Sequence, residues 1–314
     1  MLRKWSELML EMPDLFERNM TLGSQAFDDQ NYEMARDYFE AAYNIKDDLV
    51  ANTSLTKSLV ELKEFEAAYS ILCEKKISYL KTSEWQLLYF NILLQLNYFF
   101  EIEKLLVSLV VENPGDLKKA YDISKEYHLM INKTKYQKLQ DDIRAMVDLP
   151  KLNQGIVLKK VKFLPKEMVV DVAKDLLVDE RVSIFSRSEI CQLLVQVKLD
   201  EEIEVLTFNG EIKSFRPKTK KVLAKEYGES VVLKEVSHFF DTNNPSIKNE
   251  VEKSIKLHIG CLYPFVSEVM KPTDKWITSY IEKFQGNTSE TDFKKISQIQ
   301  NQIDSEMLKM MSFN

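Results

Sequence analysis

The feature that most limits what this chain can become is a pattern that returns every 33 or 34 residues through its first third. In LGSQAFDDQNYEMARDYFEAAYNIKDD, Leu22-Gly23 opens the pattern, Tyr32 follows a polar turn at DDQN, and Ala35, Phe39 and Ala42 recur at steps of four and three. Those steps put the three side chains on one helix face, so the stretch reads as helix, turn, helix. LTKSLVELKEFEAAYSILCEKK repeats it, with Leu55, the LKEF turn, then Ala68, Leu72 and Lys75. A third copy, SEWQLLYFNILLQLNYFFEIEKLLVSLVVENPGD, places Trp85 and Leu88 in its first helix and Ile102, Leu106 and Leu109 in its second, with Pro114 as terminator. The step from Ala35 to Ala68 is 33 residues and that from Ala68 to Ile102 is 34.

These residues resemble the tetratricopeptide (TPR) repeat, a 34-residue helix-turn-helix with W, L-G, Y, A, F, A and P at set places. The resemblance covers about residues 16 to 115 in three copies, and a degenerate fourth occupies DLKKAYDISKEYHLMINKTKYQKLQDDIRAMV. The pattern departs from the family in three ways. The first copy has no Trp at the matching place, Lys75 stands where the last small residue of the second belongs, and Pro occurs only in the third. The resemblance implies stacked helix pairs whose first helices line a concave surface used for partners. It places Glu17, Met20, Ser24, Phe27 and Asp28 there from copy one, and Thr53, Lys57, Val60 and Glu61 from copy two. Copy three contributes Glu84, Leu87, Asn91, Leu94 and Gln95. Met20, Phe27 and Leu94 equally suit packing between repeats. TPR modules that clamp a C-terminal carboxylate carry a Lys and an Asn where this chain has Met20 and Ser24, so that ligand class is not expected.

After MVDLPKLNQGIV the repeat stops, at a connection where Pro150 and Gly155 disfavour helix. LPKEMVVDVAKDLLVDE then reads as an amphipathic helix opened by Pro165, and SRSEICQLLVQVKLDEE as another capped by Ser186 or Ser188. EIEVLTFNGEIKSF, from Glu202 to Phe215, is a β-hairpin around Asn209-Gly210. As a two-residue turn this pairs Leu206 with Lys213 and Val205 with Ser214, leaving Leu206, Phe208 and Phe215 on one face and Ile203, Val205 and Ile212 on the other. Apolar groups on both faces call for helices to grip it. Three more helices follow, in ESVVLKEVSHFFDTNNP, PSIKNEVEKSIKLHIGCLYPF and PTDKWITSYIEKF. This order, with Asn244-Pro245 and Tyr263-Pro264-Phe265, resembles the C-terminal portion of uncharacterised TPR proteins of low-GC Gram-positive bacteria, which brings no catalytic residue to carry over. In the tail, Phe293, Ile296, Ile299, Ile303, Met307 and Met310 form one helical stripe, capped by Ser289 or Thr291. The stripe is to be buried against the same chain, a second copy in a homodimer, or the TPR groove.

The expected architecture is therefore all-α: a TPR-type solenoid over 1–148, a linker over 149–163, a helical domain over 164–286 with a hairpin at 202–216, and a terminal helix over 287–314. A length of 314 residues with 45% hydrophobic and 29% charged residues suits two soluble domains. Cys73, Cys191 and Cys261 are odd in number and form no CxxC, which points away from a disulfide framework and a zinc site, and fits a reducing cytoplasm. No uninterrupted apolar run indicates a signal peptide or a membrane span.

Chemistry is sparse. His258 and Cys261 lie three apart near a helix end that Gly260 foretells, but two further metal ligands are not visible, and a part-buried histidine explains them as well. His128 and His238 are isolated, and there is no G-x-S-x-G, P-loop or G-x-G-x-x-G motif, so no enzyme, cofactor or metal is expected. The net charge of −6 and the acidic N-terminal end, eleven acids against five bases up to Asp48, give no general nucleic-acid signal. One segment differs: KSFRPKTKKVLAK carries Lys213, Arg216, Lys218, Lys220, Lys221 and Lys225 without an acid. A helix followed by a ribbon with a basic flank is the order of a winged helix, so phosphate contact is the second reading and a solvated basic face the simpler one. The first reading is a cytoplasmic adaptor that binds a protein or peptide segment on the TPR face, without a membrane.

Overall fold

The computed structural model describes residues 2–109, 113–286 and 293–311. Across these the chain is all-α with one small antiparallel hairpin, and its internal contacts divide it into two units, Met1–Lys133 and Thr134–Asn314.

The first unit is a helical repeat. It comprises α1 (Leu2–Asp28), α2 (Tyr32–Ile45), α3 (Leu49–Glu61), α4 (Phe65–Glu74), α5 (Lys76–Tyr79), α6 (Ser83–Gln95), α7 (Phe99–Leu106) and α8 (Pro114–Ile131). Helices α1 and α2, α3 and α4, and α6 and α7 pack as consecutive pairs, and each pair packs on the next. The repeat positions are where the pairs close: Ala35, Ala42, Ala68 and Ile102 are fully buried. Gly23 has the same cause, because a Cβ there would stand 2.7 Å from the Phe39 ring. Pro114 is the first residue of α8, where a missing N–H costs nothing, rather than the end of α7.

The turn inside each pair repeats as faithfully as the core. After α1, Asn31 N–H donates to Ala26 O (2.8 Å) and Gln30 N–H to Phe27 O (3.0 Å). After α3, Glu64 donates to Leu59 O (2.9 Å) and Lys63 to Val60 O (2.9 Å); after α6, Tyr98 donates to Leu93 O (3.0 Å) and Asn97 to Leu94 O (3.2 Å). This is the Schellman closure, which needs a left-handed residue, and Gln30, Lys63 and Asn97 have φ of 59°, 62° and 56°. None is glycine, so each holds a conformation that L-residues disfavour. Lys63→Gly is therefore expected to stabilise the unit by about 0.5–1 kcal/mol, net of the chain entropy glycine adds to the unfolded state. A rise in the urea midpoint at unchanged slope is the supporting result, and a fall would contradict the left-handed turn.

The second unit begins with α9 (Lys133–Arg144) and continues through α10 (Gln154–Leu158), α11 (Lys166–Val178), α12 (Ile184–Gln196), β1 (Ile203–Leu206), β2 (Ile212–Phe215), α13 (Leu223–Glu229), α14 (Val231–Asn243), α15 (Lys248–Leu262), α16 (Val266–Val269), α17 (Thr273–Gln285) and α18 (Lys294–Met311). Residues 134–148, assigned by the sequence pattern to the repeats, are tied to this unit: Gln140 Nε2 donates to Met168 O at 3.0 Å, and Arg144 pairs with Asp171 and Asp175. The stretch 149–163, read as a linker, contains α10 and a 3-10 turn, Lys159–Phe163, with Gln154 Nε2 donating to Arg181 O at 2.9 Å. Helix α12 starts earlier than Ser186 and Ser188 suggest. Ser183 is its N-cap, accepting from Ser186 N, while the Ser188 hydroxyl donates to Gly260 O at 2.6 Å. Helix α15 runs through Gly260 to Leu262, so the expected break does not occur there.

The hairpin differs from the expected one by a register step. Leu206 pairs with Ile212, Val205 with Lys213, Glu204 with Ser214 and Ile203 with Phe215. The loop has three residues, with Gly210 at φ 82°, Gly210 N–H donating to Thr207 O (3.1 Å) and Thr207 N–H to Glu211 O (2.8 Å). Gly210 thus serves as the left-handed residue of a bulged three-residue loop rather than of a two-residue turn. The shift sorts the faces: Ile203, Val205 and Phe215 go inward, while Glu204 and Ser214 go outward. Strand β1 packs on α11, and the Phe215 ring meets Phe265 edge-on at 6.2 Å.

The tail helix docks within the second unit. Ile296, Gln300 and Ile303 are buried as α18 packs on α15 and α17, and Gln302 Nε2 donates to Phe208 O of the hairpin loop at 2.9 Å. Its expected caps, Ser289 and Thr291, and the side chain of Met310 lie outside the described residues.

Candidate functional site

Helices α1, α3 and α6 position the first candidate surface. Ser24 and Asp28 are exposed, Met20 is half-buried, and Phe27 is half-buried against the edge of Tyr32 at 5.2 Å. Thr53 is buried, and its hydroxyl is used internally, on Leu49 O (3.0 Å) and Val50 O (2.9 Å). It is a packing residue of α3 and offers nothing to a ligand. Lys57 Nζ pairs with Glu84 at 2.8 Å and ties α3 to α6; that contact holds the Glu84 carboxyl below its ordinary range. Val60 and Leu94 are half-buried, Glu61 and Asn91 are exposed, and Leu87 is 45% exposed. The result is a mixed polar surface with isolated apolar points.

A stronger apolar feature follows on α8. Ile123, Tyr127, Met130 and Ile131 are 69%, 55%, 75% and 51% exposed. Their spacing of four, three and one keeps them on one side of the helix. The other side carries the buried Tyr121, whose ring meets Phe99 at 6.1 Å and whose hydroxyl donates to Glu103 at 2.7 Å. Sequence reasoning passed over this stripe, although its period was legible, because the degenerate fourth copy was weighed only for its repeat residues.

The basic run of the second unit is largely engaged by nearby acids. Arg216 and Lys218 share Asp200 at 3.1 and 2.7 Å, and Lys220 pairs with Glu268 at 3.1 Å with its ammonium 5.1 Å from the Phe265 ring centre. Lys221 and Lys225 share Glu229. Lys213 alone lacks an acid among the described residues, its Nζ lying 5.7 Å from the Phe265 ring centre.

His258 is fully buried and completely used. Its Nε2 faces Asp304 Oδ1 at 2.9 Å and its Nδ1 the Tyr280 hydroxyl at 2.6 Å. A ring carrying its proton on Nε2 donates to the carboxylate and accepts the phenol proton at Nδ1. Asp304 also receives Lys283 Nζ at 2.7 Å. Burial alone would raise the Asp304 carboxyl, but the His258 and Lys283 contacts outweigh it and bring it down to about 2. Burial pushes the Cys261 thiol up to about 12, so it stays protonated and unreactive. The arrangement is a clasp joining α15, α17 and α18, from residues too far apart in sequence to announce it. Among the described residues no group of three or more His, Cys, Asp or Glu could hold a metal ion, and no helix is long and apolar enough to cross a membrane. Comparison of the chain with protein-family models, with curated proteins and with solved structures finds no match.

Proposed function

We propose that the chain is a non-catalytic adaptor of the TPR kind, whose repeat unit docks a protein or peptide segment along its first helices. The observation that carries this reading is the exposed stripe of Ile123, Tyr127 and Met130 on α8. By its place in the repeat order α8 is the first helix of the fourth copy, and it extends the series α1, α3 and α6. Contiguous exposed apolar residues with a charged surround are what a helical-repeat partner surface requires, and they reduce solubility without serving the fold. The nucleic-acid reading draws less support, since Arg216, Lys218, Lys220, Lys221 and Lys225 are matched by Asp200, Glu229 and Glu268.

The double variant Ile123→Asp/Met130→Asp should keep its circular dichroism and thermal midpoint, because both side chains lie outside the core. Co-purification from the native host with isotope-ratio mass spectrometry should then show at least one protein recovered with the wild type and depleted about tenfold with the variant, the loss of roughly 1.4 kcal/mol of binding. Equal recovery of all proteins would remove the proposal.

A further inference from the structure

The second unit contains a cleft of about 340 Å³ between the hairpin, the first turns of α12, the Tyr263-Pro264-Phe265 corner and α18. Its cationic lining is Arg187, Lys213, Lys271 and Lys295, and its acidic lining Glu211 and Glu268. Glu268 is already paired with Lys220. Among the described residues none of the four cations has an ion pair, and Glu211 is the one carboxylate of the lining that is not paired.

Arg187 is the unusual member. It is only 8% exposed, in the first turns of α12. Its Nη1 donates to Val182 O (2.7 Å) and Asp179 O (3.2 Å), but Nε is buried without a hydrogen-bond partner. The nearby Asp179 carboxylate is taken by Arg181 at 2.7 Å. Burial works against the charge of Arg187 while Asp179, Glu180 and Glu306 lie near enough to favour it, none of them within ion-pair distance of it. Nη2, which makes no hydrogen bond among the described residues, is the donor of its fork left for an oxyanion. The cleft also offers ring surface from Phe208 and Phe265 beside the cations. Its size is that of small-molecule sites and too small for a folded partner.

We propose that this cleft binds a small organic anion of two or more charges, of the phosphomonoester kind, with the oxyanion at Arg187 and its body against Phe208 and Phe265. Lys213, Lys271 and Lys295 supply the remaining neutralisation, which suits a dianion better than a single carboxylate. The site belongs to the second unit alone and does not depend on the adaptor reading.

Thermal unfolding and calorimetry of the full chain with phenyl phosphate, inorganic phosphate and citrate, each against sodium chloride at matched ionic strength, test it. The proposal predicts saturable stabilisation by phenyl phosphate, weaker with inorganic phosphate. A dissociation constant at least tenfold higher is expected in Lys213→Gln/Lys295→Gln and an unchanged one in Lys118→Gln/Lys119→Gln. Tight binding of citrate with the same dependence on Lys213 and Lys295 would also support it and assign the source as a polycarboxylate. Arg187→Gln is set aside for this purpose because it can fail to fold, and the exposed lysines keep the test decisive. Stabilisation that follows ionic strength alone, that is equal in all variants, or that is absent with all three anions would overturn it.

Discussion

Replacing Asp304 with alanine is expected to destabilise the second unit by about 2–3 kcal/mol, a value below that for a fully buried pair because the Asp304 side chain is about a third exposed. The cause is the state of what remains. His258, with no exposure, would lose the partner of Nε2, and Lys283 would lose its carboxylate. The effect also has a pH signature. The folded Asp304 carboxyl, at about 2, lies below its ordinary value of 3.8, so its contribution is complete above about pH 4 and is lost as pH falls toward 2. Urea unfolding of wild type and Asp304→Ala should therefore show a gap that is constant from pH 7 to pH 5 and closes through pH 4 to 2.5. A gap independent of pH would mean that Asp304 acts by packing alone.

The second large effect belongs to the first unit. Tyr79 is fully buried, and its hydroxyl meets Asn52 Oδ1 at 2.9 Å and Thr56 Oγ1 at 3.0 Å, while Asn52 Nδ2 donates to Ile71 O at 2.9 Å. Burial raises the phenol to about 12, so it stays a donor across the working pH range. Tyr79→Phe keeps the ring but leaves acceptors on α3 without a donor and without access to water. The expected cost is about 2 kcal/mol, within the range for orphaned buried polar groups. Asn52→Leu should lower that cost, since it removes one orphaned acceptor, and a double-mutant cycle should give a coupling of about 1 kcal/mol. Additive losses would show that the three side chains are not a network.

The periodic parts of the fold were legible because their causes are local. Ala35, Ala68 and Ile102 sit at closing points set by helix geometry, and the same steps separate the left-handed turns at Gln30, Lys63 and Asn97. The hairpin was legible as an element but not in register. Asn209-Gly210 is compatible with a two-residue turn and with a bulged three-residue loop, and only the packing of Ile203, Val205 and Phe215 on one side decides between them. The cap of α12 shows the same limit: Ser183, Ser186 and Ser188 are equivalent by type, and the Ser188 hydroxyl is claimed by Gly260 O, from 72 residues away.

The sites were less legible. The residues projected from the repeats are a mixture of exposed polar and half-buried apolar side chains, and they include one, Thr53, whose hydroxyl is turned into its own helix. The more exposed stripe lies on α8, in the copy with the weakest repeat signature. In the second unit the basic run drew attention by composition, whereas the cations without an ion pair gather at Arg187, Lys213, Lys271 and Lys295, which come from four separate stretches of chain. Tertiary contacts alone bring such residues together, so no spacing rule reports them.

The adaptor reading is tested most directly by a photoreactive benzophenone side chain placed in turn at Met130, at Asn91 and, as a control in the second unit, at Lys218, followed by irradiation in the native host. The reading predicts covalent adducts with the same protein from positions 130 and 91 and none from 218. Adducts confined to 218, or no adduct from 130 and 91, would contradict it.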